Sequence, residues 1–263
     1  MTPALSPASL TLRLKTAFIG RKVVYYPSLP STMDTARQLA RQGTGDGTVV
    51  IAGEQTAGKG RLNRAWLSPP GNVALSIVLY PDIAGLPYLV MIASLAAVCA
   101  IEKAAGQIAQ VKWPNDILID GKKVSGILIE NEVKSGQVVY SIVGIGINVD
   151  LNIAAHPEIA STAVSLKSHD GSDLKIKLIR LLLTEFERLY IKLPAGKPIF
   201  EAWRDRLITL GKKVWATSAT EVIEGIAESV DETGALVIRQ SDGSLVTVVA
   251  GDVTLSEKKG RVA

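Results

Sequence analysis

The segment Gly53–Arg61 reads GEQTAGKGR, and it contains the G-x-x-x-x-G-K spacing that opens a phosphate-binding P-loop. In a P-loop, backbone amides cradle phosphates, a hydroxyl after the lysine holds magnesium, and a helix starts at once. Here Gly60 stands where the hydroxyl belongs, and RLNRAWLSPPG cannot run as a helix through Pro69 and Pro70. What survives is a different chemistry. Lys59, Arg61 and Arg64 sit on or beside a glycine-rich backbone, and Trp66 follows. Cations on a mobile backbone next to an aromatic face suit a ligand that carries both an anion and a base. A merely flexible surface loop needs only Gly58 and Gly60; it leaves the cations and the indole unexplained.

A second polar group lies in VKWPNDILIDGKKVSGILIE, residues 111–130, with Lys112, Asn115, Asp116 and Lys123. The Asp120-Gly121 pair is a hairpin signal. In the returning strand, simple alternation puts Lys123, Ser125 and Ile127 on one face and Val124, Gly126 and Leu128 on the other. Lys123 then sits at the edge of a pocket whose floor Gly126 leaves open. A lysine pair after a turn is also an ordinary solvated hairpin. Gly144 and Gly146, two apart in GIGINV, expose one backbone face to a flat apolar ligand or to a packing contact. Trp113 and Pro114 read as core packing.

The elements that must position these groups follow from periodicity. Strands are expected at 23–26, 47–53, 72–80, 111–113, 116–120, 123–133 and 137–150, the last being the most apolar and therefore central. Ser31-Thr32 open a helix whose Ala36, Leu39 and Ala40 share a face, and Ser31 is a natural cap. Further helices are expected over 87–105, 174–193 and 199–210. The connection from 53 to 71 is too long for an idle loop in a compact domain. Hairpins outnumber βαβ units, so the expected class is α+β, with a mixed, largely antiparallel sheet. After Leu210 the texture changes to short alternating strands with Thr-, Asp- and Gly-containing turns, as in a small barrel. The expected division is residues 1–208 and 209–263.

Composition removes several classes. With 47% hydrophobic residues the chain can bury a sizeable core. Its 29 basic and 25 acidic residues give +4, without the basic stripe of a nucleic-acid reader. Cys99, the single cysteine, lies in an apolar run and reads as a buried thiol that forms no intrachain disulfide. Two histidines, His156 and His169, give a metal centre or a Ser-His-Asp triad little to work with. The N-terminus lacks a signal peptide's apolar core, and no run of about 18 uninterrupted apolar residues is present, which points to the cytoplasm and away from a membrane.

Four segments together resemble the biotin protein ligases. GEQTAGKGRLNRAWLSPPG is similar to their G-R-G-R-x-G-R-x-W-x-S-P-P-G signature, and VKWPNDILIDGKKVSGILIE to their K-W-P-N-D…K-x-x-G-I-L-x-E segment. GIGINV resembles their third block, STMDTA at 31–36 their S-T-N-x-x-A, and the order and spacing agree. The likeness implies a class II synthetase-like catalytic fold, a C-terminal SH3-like barrel, and a two-step reaction. ATP and biotin, with Mg2+, form biotinyl-AMP, and biotin then passes to a lysine of a biotin carboxyl carrier protein.

By that resemblance Arg61 and Lys123 are the catalytic cations. Biotin is held by Ser31, Thr32, Met33, Gln55, Gly58, Lys59, Gly60, Arg61, Lys123, Gly126, Leu128, Gly144 and Gly146, with Ser31, Thr32 and Gln55 on the ureido ring. ATP meets Arg61, Arg64, Trp66, Lys112, Asn115, Asp116 and Asn148, Asp116 being a magnesium or loop-ordering carboxylate; a protein metal site is not identified. Only residues 1–22 precede the first expected strand, too few for the winged-helix domain of members that double as repressors, so the monofunctional class without specific DNA binding is expected, as a homodimer. Three positions depart from the pattern: Met33 for Asn, Lys59 for Arg and Asn63 for Gly. Competing readings are a lipoate or octanoate ligase of the same fold and a non-catalytic biotin-responsive regulator. The glycine-basic loop and the C-terminal barrel speak against the first.

Overall fold

A computed structural model describes residues 6–166, 174–217, 222–249 and 251–255. In chain order the elements are α1 (Pro7–Thr11), β1 (Val23–Tyr26), α2 (Thr32–Arg41), β2 (Val49–Ala52), β3 (Val73–Leu79), α3 (Tyr88–Ala105), β4 (Gln110–Lys112), β5 (Asp116–Ile119), β6 (Lys122–Lys134), β7 (Gln137–Ile147), α4 (Leu174–Tyr190), α5 (Gly196–Arg204), β8 (Lys213–Thr217), β9 (Val222–Val230), β10 (Leu236–Arg239), β11 (Leu245–Val248) and β12 (Asp252–Leu255).

Seven strands form one sheet in the order β1-β2-β3-β7-β6-β5-β4. Only β1 and β2 pair in parallel; the remaining neighbours are antiparallel. The apolar β7 takes the middle, as its composition demands. Left-handed backbone at Asp120-Gly121 and Ser135-Gly136 closes the two hairpins that join β5 to β6 and β6 to β7.

The sheet is covered on both faces. On one, α3 packs with α4 and α5 over Val111, Val124, Ile127 and Ile145 in the main core. Helix α3 has the length and apolarity of a membrane span, yet ten of its eighteen residues are buried against these neighbours. On the other face the shorter α2 covers only part of the sheet, with Met33, Ala36 and Ala40 against Val50, Ala52, Val78 and Ile142. The uncovered remainder of that face is where a pocket can open.

The second sheet is antiparallel throughout, in the order β11-β10-β9-β8-β12. Its Val214, Ala216, Leu236 and Ile238 join the same core as α3 and α5. The Trp113 indole N–H donates to the Gly234 carbonyl at 2.8 Å, and the Trp113 amide to Thr209 Oγ1 at 2.9 Å. Trp113 is thus a packing residue that staples the two sheets together.

Several expectations need correction. The helix expected over 199–210 begins at Gly196 and ends at Arg204, because the chain beyond it turns back to bond β4 through Val111, which donates to the Arg206 carbonyl and accepts from Ile208. Helix α1 carries a capping box from Ser6 and Ser9 but is too short for a periodic signal. Cys99 is half-buried rather than buried. His169 lies outside the described residues.

Candidate active site

Strand register lays a floor with almost no side chains. Ala74 of β3 pairs with Gly146 of β7, and Gly146 pairs with Gly126 of β6. Three adjacent strands therefore carry Ala, Gly and Gly side by side on the α2 face, beyond the end of that helix. The next row places Ser76, Gly144 and Leu128 across the same strands. A cavity of about 120 Å³ stands on this floor. A Cβ on Gly144 would run into the Met33 side chain, and one on Gly146 into the Trp66 indole. These glycines are required by close approach, as their spacing suggested.

Lys123 reaches this floor by a route that simple alternation misses. Pairing with β5 slips by one residue, Ile117 facing Ser125 while Leu118 faces Lys123. The bulge buries both Val124 and Ile127 in the main core and turns the Lys123 chain to the Gly126 side, where its Cε lies 3.2 Å from the place of a Gly126 Cβ. Strict alternation would have set Lys123 and Gly126 on opposite faces.

The polar end of the cavity is built at the start of α2. The Thr32 amide and hydroxyl both donate to Gln55 Oε1, at 2.8 and 3.0 Å, and the Ser76 hydroxyl donates to Thr32 Oγ1 at 2.8 Å. Gln55 thereby satisfies a helix-start amide from outside the helix. Ser31 occupies the cap position but makes no capping bond, and its buried hydroxyl has no partner among the described residues. The expected side-chain cap is replaced by Gln55.

The connection from 53 to 71 is an ordered, folded-back loop. Gln55 donates to the Ser68 carbonyl at 2.9 Å, Trp66 to Gly58 at 2.9 Å, and Gly60 to Arg64 at 2.7 Å. Its tip, Leu62 and Asn63, is left-handed, with φ of 54° and 59°. Asn tolerates that conformation well; Leu does not, and Leu62 is exposed there. The returning segment lays the Trp66 indole on the floor, over Gly126 and Gly146, with Nε1 buried and unpartnered among the described residues.

Four cations converge. Lys123 Nζ is 2.6 Å from Asp116 and 5.3 Å from the Trp66 ring centre. Arg61 Nη1 donates to Asn115 Oδ1 and to the Gly251 carbonyl, each at 3.1 Å, and lies 3.9 Å from Asp252. Burial pulls the Arg61 guanidinium below its ordinary pKa, against the opposing pull of Asp252 and Asp116. Arg64 pairs with Asp252, and Lys59 with Asp34 at 2.6 Å. A second, polar cavity of about 210 Å³ adjoins the first between the β4–β5 turn and the C-terminal sheet, lined by Arg64, Lys112, Asn115, Asp116 and Asp252. Burial lowers the Lys112 pKa, countered by Asp116.

Most of the residues singled out from sequence thus meet in one place: Thr32, Met33, Gln55, Lys59, Gly60, Arg61, Arg64, Trp66, Asn115, Asp116, Lys123, Gly126, Leu128, Gly144 and Gly146 line the first cavity. Lys112 lines the second. Gly58 supports the loop from behind, its missing side chain making room for the Trp66 carbonyl. Asn148 is not brought to either cavity: its side chain donates to the Val164 carbonyl at 3.1 Å and ties the end of β7 to the following segment. Ala74 and Asp252 were not foreseen. Ala74 could have been read as a small residue on a central strand; Asp252 has no local signal, since only the tertiary fold brings it to Arg61 and Arg64.

The chain is similar to known proteins in sequence and in fold. Residues 25–148 match the model of the biotin/lipoate A/B protein ligase family, and residues 209–256 the biotin protein ligase C terminal domain. The chain is 36% identical over 258 residues to the bifunctional ligase/repressor BirA of Bacillus subtilis, covering 95% of this chain and 79% of that one. It is 36% identical over 214 residues to the biotin–[acetyl-CoA-carboxylase] ligase of Paracoccus denitrificans, covering 76% and 88%. Among solved structures, the biotin protein ligase from Aquifex aeolicus in complex with biotin and ATP superposes with a TM-score of 0.72 at 27% identity, covering 90% of this chain and 99% of that one.

Proposed function

Because the chain belongs to the biotin/lipoate A/B protein ligase family, we propose that its cavity binds biotin and ATP and joins them. The protein is an ATP-dependent biotin–protein ligase. A carboxylate oxygen of biotin attacks the α-phosphorus, pyrophosphate leaves, and the mixed anhydride biotinyl-AMP forms. The amine of a carrier-protein lysine then attacks the acyl carbon, and AMP leaves with the bridging oxygen.

The observation that carries this reading is the nearly side-chain-free floor of Gly126, Gly146 and Ala74, bordered by Arg61 and Lys123. A flat ring needs such a floor, and two anions that must meet need cations on both sides of the approach. Arg61 and Lys123 neutralise the biotin carboxylate and the charge developing on the phosphoryl oxygens. Thr32 and Gln55, already hydrogen-bonded to each other, offer donors and acceptors to the ureido group, beside the Ser31 hydroxyl, which has no partner among the described residues. Met33 and Leu128 wall the ring.

For biotin to lie on the floor, the Trp66 indole must lift away; its buried N–H has no partner among the described residues, so no hydrogen bond of the indole opposes the movement. Lifted, the indole offers a stacking face to adenine, and the loop closes over an anhydride that water would destroy. Among the described residues no three Asp, Glu, His or Cys form a metal cage, and magnesium prefers phosphate oxygens with one or two carboxylates. Asp116 is the carboxylate that fits, and magnesium would supply charge neutralisation on the phosphates.

We assign residues 1–208 to the catalytic unit and 209–263 to the second domain, whose Thr217, Asp252, Val253 and Thr254 line the second cavity. The acceptor is a biotin carboxyl carrier protein of a biotin-dependent carboxylase. By family likeness the enzyme acts in the cytoplasm as a homodimer, and the dispersed basic residues support no specific DNA binding. The test is mass spectrometry of a carrier domain after incubation with biotin, ATP and magnesium, beside Arg61→Ala and Lys123→Ala. One biotinyl group on one lysine is expected with the native enzyme; full labelling by both variants would contradict the catalytic roles of these two cations.

A further inference from the structure

We propose that Asp252, the first residue of β12 in the C-terminal sheet, is a positioning residue for adenylation: it holds Arg61 and Arg64 so that the catalytic loop presents its cations to ATP. The proposal rests on the ligase reading above. Asp252 reaches across from a segment far away in sequence to pair with Arg64, and it lies 3.9 Å from Arg61, while the preceding Gly251 carbonyl accepts directly from Arg61. It borders both cavities. Among the described residues Arg61 is held through Nη1 alone, so its Nη2 and Nε remain free to meet an incoming anion.

Two effects of this carboxylate oppose each other. Its negative charge repels phosphate, and its pairing restricts the Arg64 side chain while adding to the Asn115 and Gly251 contacts that already hold Arg61. The repulsion is small because Arg64 already neutralises Asp252. The restriction matters most for Arg64, whose side chain is 69% exposed and has no second acidic partner among the described residues. Holding therefore outweighs repulsion, and the C-terminal sheet contributes to the ATP side of the site through Arg64.

The experiment compares Asp252→Ala, Asp252→Asn and Asp252→Glu in the full-length protein, measuring biotin-dependent exchange of pyrophosphate into ATP and, separately, transfer from supplied biotinyl-AMP to a carrier domain. Asp252→Ala is expected to raise the KM for ATP roughly tenfold, to leave the KM for biotin and the transfer step within about twofold, and to be partly rescued by Asp252→Glu. If Asp252→Ala loses thermal stability, the isosteric Asp252→Asn carries the comparison, and it is expected to raise the KM for ATP without moving that for biotin. An unchanged or lower KM for ATP in the folded variants overturns the proposal while leaving the ligase reading intact. Absence of biotin-dependent exchange in the native protein removes both.

Discussion

Replacing Lys123 by methionine keeps the length of the side chain and removes its charge, which separates catalysis from stability. On the stability side, Lys123 loses an ion pair with Asp116 whose side chains are 35% and 21% exposed. Such a pair contributes about 0–1 kcal/mol, and the cation over the Trp66 ring about 0.5–1 kcal/mol. The sum is at most about 2 kcal/mol, a fall in melting temperature of roughly 4–8 °C for a domain of this size. On the catalytic side, a preorganised charge facing charge that develops in a water-excluded site is worth about 2.7–4 kcal/mol, or about 10²–10³ in rate. Lys123→Met is therefore expected to slow biotin-dependent pyrophosphate exchange by two to three orders of magnitude at saturating ATP, in a protein that still melts cooperatively. Exchange within about fivefold of the native rate would show that Lys123 is only a hairpin lysine, and the electrostatic argument for the site would fail.

Other perturbations probe separate parts of the molecule. Glu187 of α4 accepts hydrogen bonds from the backbone amides of Ala17, Phe18 and Ile19 while 8% exposed, so Glu187→Gln is expected to cost about 2–4 kcal/mol in urea unfolding and to leave the KM values for biotin and ATP unmoved. Gly58→Ala would drive a methyl group into the Trp66 carbonyl and open the folded loop; calorimetry should find biotin binding at least about tenfold weaker, and an unchanged affinity would detach the loop from the site. Burial lowers the Lys112 pKa in the folded state, so between the folded and unfolded values the unfolded chain binds more protons and stability rises with pH. Over the same window the cation is lost, so the KM for ATP should climb at a pH below the ordinary lysine value, and Lys112→Arg should flatten that climb.

Much of this architecture is written locally. The turn pairs Asp120-Gly121 and Ser135-Gly136 define the hairpins, and the unbroken apolar run of β7 requires the centre of the sheet. The glycines at 126, 144 and 146 announce a close approach, and strand register shows what approaches: an indole and a thioether. What is not local is not legible. The slip between β5 and β6 that turns Lys123 onto the floor depends on how two strands pair, not on either alone. The end of α5 at Arg204 is set by the bonds that Val111 makes with Arg206 and Ile208, and a helical period continues past it. Gln55 displaces Ser31 as the cap of α2 because a distant loop folds back, and Asp252 reaches the arginines only once the second sheet docks.

The central claim is that these cations bring a carboxylate onto the α-phosphorus, and it can be followed atom by atom. Biotin with heavy oxygen in its carboxylate, turned over with ATP and a carrier domain, should deliver one labelled oxygen to AMP, since the attacking oxygen becomes the bridge and leaves with the phosphate. Unlabelled AMP, or label in pyrophosphate instead, would contradict attack at that phosphorus and the reading of the site built upon it.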